Sequence, residues 1–147
     1  MSTIVVGLGN AWRGDDAAGL LVLERLRPLL SGSVRTVAHE GDGLSLLDLW
    51  TPEDDVILID AVLASGRGGP VLHDACARPL PPDVQPLSGH ALSAAGAIEL
   101  ARVIGWLPRR LIVVGVPAHS FGTGDPLSAE TNDAIEEALE TVRHLVS

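Results

Sequence analysis

Ile4-Val5-Val6-Gly7-Leu8-Gly9-Asn10-Ala11-Trp12-Arg13-Gly14-Asp15-Asp16-Ala17-Ala18-Gly19 decides how this chain is read. A short apolar run opens the stretch, and a helical spacing of apolar residues from Leu20 to Leu30 follows it. It reads as strand, glycine-rich turn and acidic helix start. Gly7 and Gly9 let the chain turn where a side chain would clash. Asp15 and Asp16 place two carboxylates where the chain leaves the strand. One is enough to cap a helix by accepting a bond from an orphan N–H. Asp15 can take that task, which leaves Asp16 as a candidate for chemistry.

Further along, apolar runs at Ile4–Leu8, Val34–Ala38, Val56–Ile59, Pro70–His73 and Leu111–Val114 predict strands. Helical spacing over Leu20–Leu30, Leu44–Trp50, Leu92–Ile104 and Ala129–Val146 predicts helices between and after them. Ser128 is the expected N-cap of the last helix, with Glu130 favourably placed in its first turn. Strands that alternate with helices and are apolar throughout predict an α/β fold with a mainly parallel sheet covered on both faces. With 147 residues, the chain is expected to form a single domain over 1–147. Pro79-Leu80-Pro81-Pro82 marks a loop inside it.

Composition narrows the function. Net charge is −9 and no arginine stripe is present, so nucleic acid is not an expected partner. The ten basic residues are all Arg, which removes the P-loop lysine and any Schiff-base mechanism. Cys76 is the only cysteine, so no internal disulfide or thiolate metal cluster is expected. It reads as a packing residue. No apolar run is long enough to span a bilayer, and Met1-Ser2-Thr3 leads straight into a strand. A cytoplasmic protein with no membrane partner is expected.

Ligands of such sheets bind outside the carboxyl ends of the strands. The polar residues that fall there are Asn10, Asp15 and Asp16, then His39, Glu40 and Asp42, then Asp60. Ser88-Gly89-His90 precedes the helix that feeds the last strand, and His119 and Ser120 follow that strand. Asp60 stands out, because a carboxylate ending Val56-Ile57-Leu58-Ile59 is costly to bury unless it is bonded or used. The bland alternative is an Asp capping the next turn. A helix start disfavours imidazolium, so His90 is expected to be neutral and able to act as ligand or base. Asp16, Asp60 and His90 together would form a three-ligand metal site with open positions.

Other readings have less to stand on. Gly7-x-Gly9 with Glu40 hints at a dinucleotide fingerprint, but the next glycine is Gly14 and Asp15-Asp16 would repel a pyrophosphate. No G-x-S-x-G elbow is present. His39, His73 and His144 read as solvent or turn histidines, and His119 is left open. Trp12 could grip a partner or fold over its own loop.

Taken together, Gly7-x-Gly9-Asn10, Asp15-Asp16-x-x-Gly19, Ile59-Asp60-Ala61 and Gly89-His90-Ala91-Leu92 resemble the hydrogenase maturation proteases. Ala97-Ile98-Glu99-Leu100-Ala101, Val114-Gly115-Val116 and Leu127-Ser128 extend the likeness over nearly the whole chain. The resemblance implies a three-layer α/β/α sandwich with a twisted sheet of about five strands. It implies an endopeptidase that removes the C-terminal extension of a nickel–iron hydrogenase large-subunit precursor after nickel insertion. The metal-contacting and catalytic residues would be Asp16, Asp60 and His90, and the nickel would be carried by the substrate. Other divalent ions could occupy the same residues in the isolated protein. Nickel could polarise the scissile carbonyl. In an aspartic-type alternative, Asp16 and Asp60 act as general base and acid. Where many relatives have an acidic-Gly-Gly-Thr-like turn, this chain has Glu40-Gly41-Asp42-Gly43-Leu44. A monomer is expected. The rival from another class is a non-catalytic chaperone that binds the nickel-loaded precursor through the same edge.

Overall fold

The computed structural model describes residues 2–9, 14–40, 43–63, 69–80, 94–119 and 124–146. Its strands are β1 (Thr3–Leu8), β2 (Val34–His39), β3 (Asp55–Leu63), β4 (Val71–Asp74) and β5 (Arg110–Ala118). Its helices are α1 (Ala18–Leu26), α2 (Gly43–Leu46), α3 (Ala94–Ile104) and α4 (Ala129–Val146), with short 3-10 turns at Gly14–Ala17, Arg27–Leu29 and Leu47–Leu49. The strands form one sheet in the order β2-β1-β3-β5-β4. All neighbours are parallel except β4, which runs antiparallel to β5 at the edge.

Alternation along the strands divides the core into two layers, as the period of two in a strand requires. Ile4, Val6, Leu8, Val56, Leu58 and Val113 pack with Leu46, Ala97, Ile98 and Ala101 from α2 and α3. Val5, Ile57, Ile59, Val114 and Val116 pack with Ala18, Val22, Leu26, Ala134, Ile135 and Ala138 from α1 and α4. This is the three-layer α/β/α sandwich with a mainly parallel sheet of five strands. β3, buried on both faces at the sheet centre, is the run Val56–Ile59 that reads as continuously apolar. None of the described helices is long and apolar enough to cross a membrane.

Both central strands outlast their apolar runs. β3 continues beyond Ile59 to Leu63, and β5 continues beyond Val114 to Ala118, each supporting the other. Asp60 is therefore inside a strand, opposite Gly115, and not at the strand's end. What does end at Ile59 is the pairing of β3 with β1, whose last partners are Gly7 and Ile59. Beyond that point β3 continues without β1, and because β2 lies on one side of the pair and β5 and β4 on the other, the crevice of a switch point falls between β1 and β3. In open α/β sheets this switch point is where ligands bind.

Glycines let helix α1 sit across this crevice. A Cβ on Gly19 would collide with the carbonyl oxygens of Leu8 and Ile59, the residues at the ends of the two strands. A Cβ on Gly7 would come within 2.6 Å of Gly19 O. At the other edge of the sheet, Arg109 N donates to Asp54 O at 2.9 Å, so the chain from α3 enters β5 beside the start of β3. The N-terminus of α3 at Ala94 consequently lies toward the crevice edge.

Candidate functional site

Asp16 and Asp60 lie close enough at the switch point for the charge of one to act on the other. Asp16 comes from the turn Gly14–Ala17 and is 5% exposed; Asp60 comes from β3 and is 4% exposed. The backbone of Asp16 is seated against Gly9, whose missing Cβ leaves room for the Asp16 carbonyl oxygen. Among the described residues, the Asp60 carboxylate receives one hydrogen bond, from Ala61 N at 2.8 Å. Burial pushes its pKa up to about 8, and the nearby negative charge of Asp16 adds to the rise against that one bond. Alternation along β3 turns Asp60 to the α2 and α3 side, where Gly115 on the neighbouring strand contributes no side chain. Two adjoining buried carboxylates are an electrostatic cost that a cation would relieve.

Asp15, its neighbour in sequence, has a different task. Its carboxylate is fully buried and receives bonds from His119 N at 2.7 Å, Ser128 N at 2.8 Å and Ser128 Oγ at 2.8 Å. Thr131 Oγ1 lies 2.8 Å from Asp15 and 2.9 Å from Pro117 O, so one hydroxyl proton serves two acceptors. Burial pulls the pKa of Asp15 up, and the bonds from Ser128, His119 and Thr131 outweigh it, leaving the pKa below the ordinary carboxylate value. Asp15 does cap a helix, but not the one it precedes. It reaches across to the first turn of α4, where Ser128 is the N-cap and Ser128 Oγ accepts from Thr131 N at 3.3 Å.

The third expected ligand, His90, lies outside the described residues, four positions before Ala94. Asn10, Trp12, Asp42, Ser88, Gly89 and Ser120 also lie outside them. Among the described residues, no group of three or more His, Cys, Asp or Glu is placed to hold a metal. Asp16 and Asp60 supply two hard oxygen donors, and a divalent ion would need His90 or a substrate to complete its shell.

The other candidates are placed as follows. Glu40 is exposed beyond the end of β2. His39 ends β2 and bonds Ser45 Oγ through Nε2 at 2.9 Å. His73, expected in solvent or a turn, is instead 4% exposed in β4, and its Nε2–H donates to Arg78 O at 2.9 Å. The antiparallel edge strand turns it inward. His144 stands on α4 and donates from Nδ1 to Glu140 O at 2.8 Å. His119 presents its backbone N–H to Asp15 and leaves its side chain exposed. The Cys76 thiol donates to Pro108 O at 3.2 Å, and burial, then the Asp74 charge, push its pKa up. That is a packed thiol and not an activated one. Sequence reading missed Ser128 and Thr131 as partners of Asp15. The available signal was a pair of hydroxyl residues one turn apart at a helix start.

No family model matches the chain. Hydrogenase 2 maturation protease of Escherichia coli strain K12 is 30% identical over 148 residues, covering 97% of this chain and 88% of that protein. Among solved structures, the hydrogenase maturating endopeptidase HybD from E. coli aligns with a TM-score of 0.77 at 26% identity, over 97% of this chain and 90% of that one. The [NiFe] hydrogenase maturation protease HybD from Thermococcus kodakarensis shares the fold at a TM-score of 0.71 and 21% identity, over 100% of each chain.

Proposed function

Because this chain belongs to the hydrogenase maturation protease family, we propose that it is a cytoplasmic endopeptidase that trims the C-terminal extension from a nickel–iron hydrogenase large-subunit precursor. Cleavage follows nickel insertion, and nickel arrives with the substrate. The observation that carries this reading is the pair of buried, electrostatically coupled carboxylates, Asp16 and Asp60, at the switch point between β1 and β3. His90 completes the set from the segment before α3.

The chemistry follows from the charge at that point. In the free site Asp60 holds a proton at neutral pH, because water is excluded and Asp16 stands beside it. A nickel ion already bound by substrate thiolates takes the place of that proton and draws Asp16, Asp60 and His90 toward itself. Affinity for free ions stays modest, since three protein ligands of hard or borderline type do not close a shell. Loading is thereby tied to cleavage, because a precursor without nickel gives the carboxylates nothing to hold. A water molecule then attacks the scissile carbonyl, the C–N bond breaks, and the departing amine takes up a proton.

The test is a cleavage assay on the precursor, nickel-loaded and nickel-free, with the wild type and the Asp16→Asn, Asp60→Asn and His90→Ala variants. The expected result is shortening of the loaded precursor only. Each variant should lose about 10²-fold or more in rate, the scale on which positioned acid–base groups contribute. Tight binding of loaded precursor without a cut would replace the protease with the chaperone. Rates unchanged in all three variants would move the site elsewhere.

A further inference from the structure

We propose that Asp15 is a positioning residue for this site, holding the peptide that carries Asp16 in register with Asp60 by tying the turn Gly14–Ala17 to β5 and α4. The proposal rests on the proposed protease reading for what Asp16 does, but not for how it is held.

Three observations support it. First, the bonds to Asp15 span 104 residues to His119, 113 to Ser128 and 116 to Thr131. They therefore fix the turn to distant structure and not to its own helix. Second, both ends of the connection from β5 to α4 are held by this one carboxylate, through His119 N at one end and Ser128 N at the other. Third, backbone packing holds the turn and the helix that follows it, with the Asp16 carbonyl against Gly9 and Gly19 of α1 against Leu8 and Ile59. Asp15 and Asp16 are consecutive, so fixing one carboxylate leaves the other few ways to turn.

The identity of the residue is also informative. The groups that surround Asp15 in this tie are donors, N–H and O–H, which suit an ionised carboxylate and not an amide. A neutral acceptor would tie α4 to the turn without burying a negative charge beside the Asp16 carboxylate in sequence. Placing a further charge there is electrostatically unfavourable, and it is offset by strong, short bonds that hold a functional group rigidly.

The experiment uses the full chain with Asp15→Asn and, because that variant could fail to fold, Thr131→Val. Two readouts are taken: amide hydrogen exchange of residues 14–17 against that of β1 and β3, and kcat and KM on nickel-loaded precursor. In Asp15→Asn, exchange in the turn should rise about tenfold or more, with the strands unchanged. Its kcat should fall about 10- to 100-fold with KM within about threefold, as expected when a reacting group is displaced by a fraction of an ångström to 1 Å. Thr131→Val should shift both readouts in the same direction by a smaller factor. A folded variant with wild-type kcat overturns the proposal: with raised turn exchange Asp15 is a structural tie alone, and with wild-type exchange it does not hold the turn at all. If Asp15→Asn does not fold, Thr131→Val decides on the same criteria. Failure of the wild type to cleave would sink the protease reading alone, because turn exchange still reports whether Asp15 holds the turn.

Discussion

Two aspartates flank the apolar run Val56–Ile59 of β3, and the protein treats them in opposite ways. Asp54, just before the strand, receives bonds from Ser2 N at 3.0 Å, Thr51 N at 2.8 Å and Thr51 Oγ1 at 3.3 Å. Its pKa is lowered, chiefly by the bond from Thr51 N. Around it, Arg109 pairs in a fork with Asp55 at 2.9 and 2.6 Å, and Trp50 and Trp106 exchange bonds with backbone carbonyls. Asp60, six residues on, has one hydrogen bond among the described residues, from Ala61 N, and a like charge nearby, and its pKa is pushed up to about 8. One end of the apolar run satisfies its carboxylate; the other leaves it in need of a cation or a proton. That electrostatic strain lies at the edge where α/β sheets bind ligands.

A change of pH separates the two aspartates most strongly. Asp60 has a folded pKa above its unfolded value of 3.8, so between 3.8 and about 8 the native state binds more protons than the unfolded chain. Its contribution to stability is present below 3.8 and is lost as pH rises through about 8. For one group the unfolding free energy then falls by as much as about 1.4 kcal/mol per pH unit. Asp54 has the opposite sign. Its pKa is below 3.8, so its contribution is present above that value and is lost as pH falls through the folded pKa. Urea unfolding of the metal-free protein across pH should show wild type losing stability toward pH 8, with Asp60→Asn markedly flatter there. Asp54→Asn should leave that limb alone and flatten the acid limb. A wild type whose stability does not fall toward pH 8 would mean that Asp60 is ionised without cost, and the contrast between the ends would disappear.

The same contrast marks what a sequence can reveal. Asp60 was legible because a charge at the end of four apolar residues is an anomaly within five positions. The parallel core was legible because its runs are apolar throughout, and Gly7, Gly9 and Gly19 flagged close approach. The antiparallel direction of β4 was not legible, since a four-residue strand looks the same either way. Nor was the extension of β3 past Asp60, which depends on Ala61 and Val62 finding Val116 and Pro117. Asp15 was read as capping its own helix because local partners are the ones that a sequence brings to mind. Its real partners are more than 100 residues away, and only the fold brings them together.

A smaller effect sharpens the comparison from the closed end. Asp54→Asn removes an acceptor from Thr51 or Ser2 and turns an amide N–H₂ toward a donor. Losing bonds of this type costs about 1–3 kcal/mol. Chemical denaturation should register that loss. Cleavage of loaded precursor at a temperature where the variant is folded should stay within about twofold of wild type, since surface and edge ties away from the reacting groups leave orientation intact. A large loss of cleavage in folded Asp54→Asn would mean that the two ends of β3 are mechanically coupled.

The smallest effect belongs to Cys76, the sole thiol, which also lies toward the closed edge. Its backbone neighbour Ala75 N donates to Leu111 O at 2.9 Å, and its Sγ–H donates to Pro108 O at 3.2 Å, beside the entry to β5. Burial and the Asp74 charge raise the thiol pKa, so little thiolate forms at neutral pH. Serine keeps the donor in nearly the same volume, and Cys76→Ser should change stability by less than about 1 kcal/mol with cleavage unaltered. Alkylation by iodoacetamide at pH 7 should be slower than for a free cysteine in the same buffer, and should speed up on denaturation. Fast alkylation coupled to loss of cleavage would place nucleophilic chemistry at the edge that the ties of Asp54, Arg109–Asp55, Trp50 and Trp106 mark as structural. It would also take the reaction away from Asp16 and Asp60.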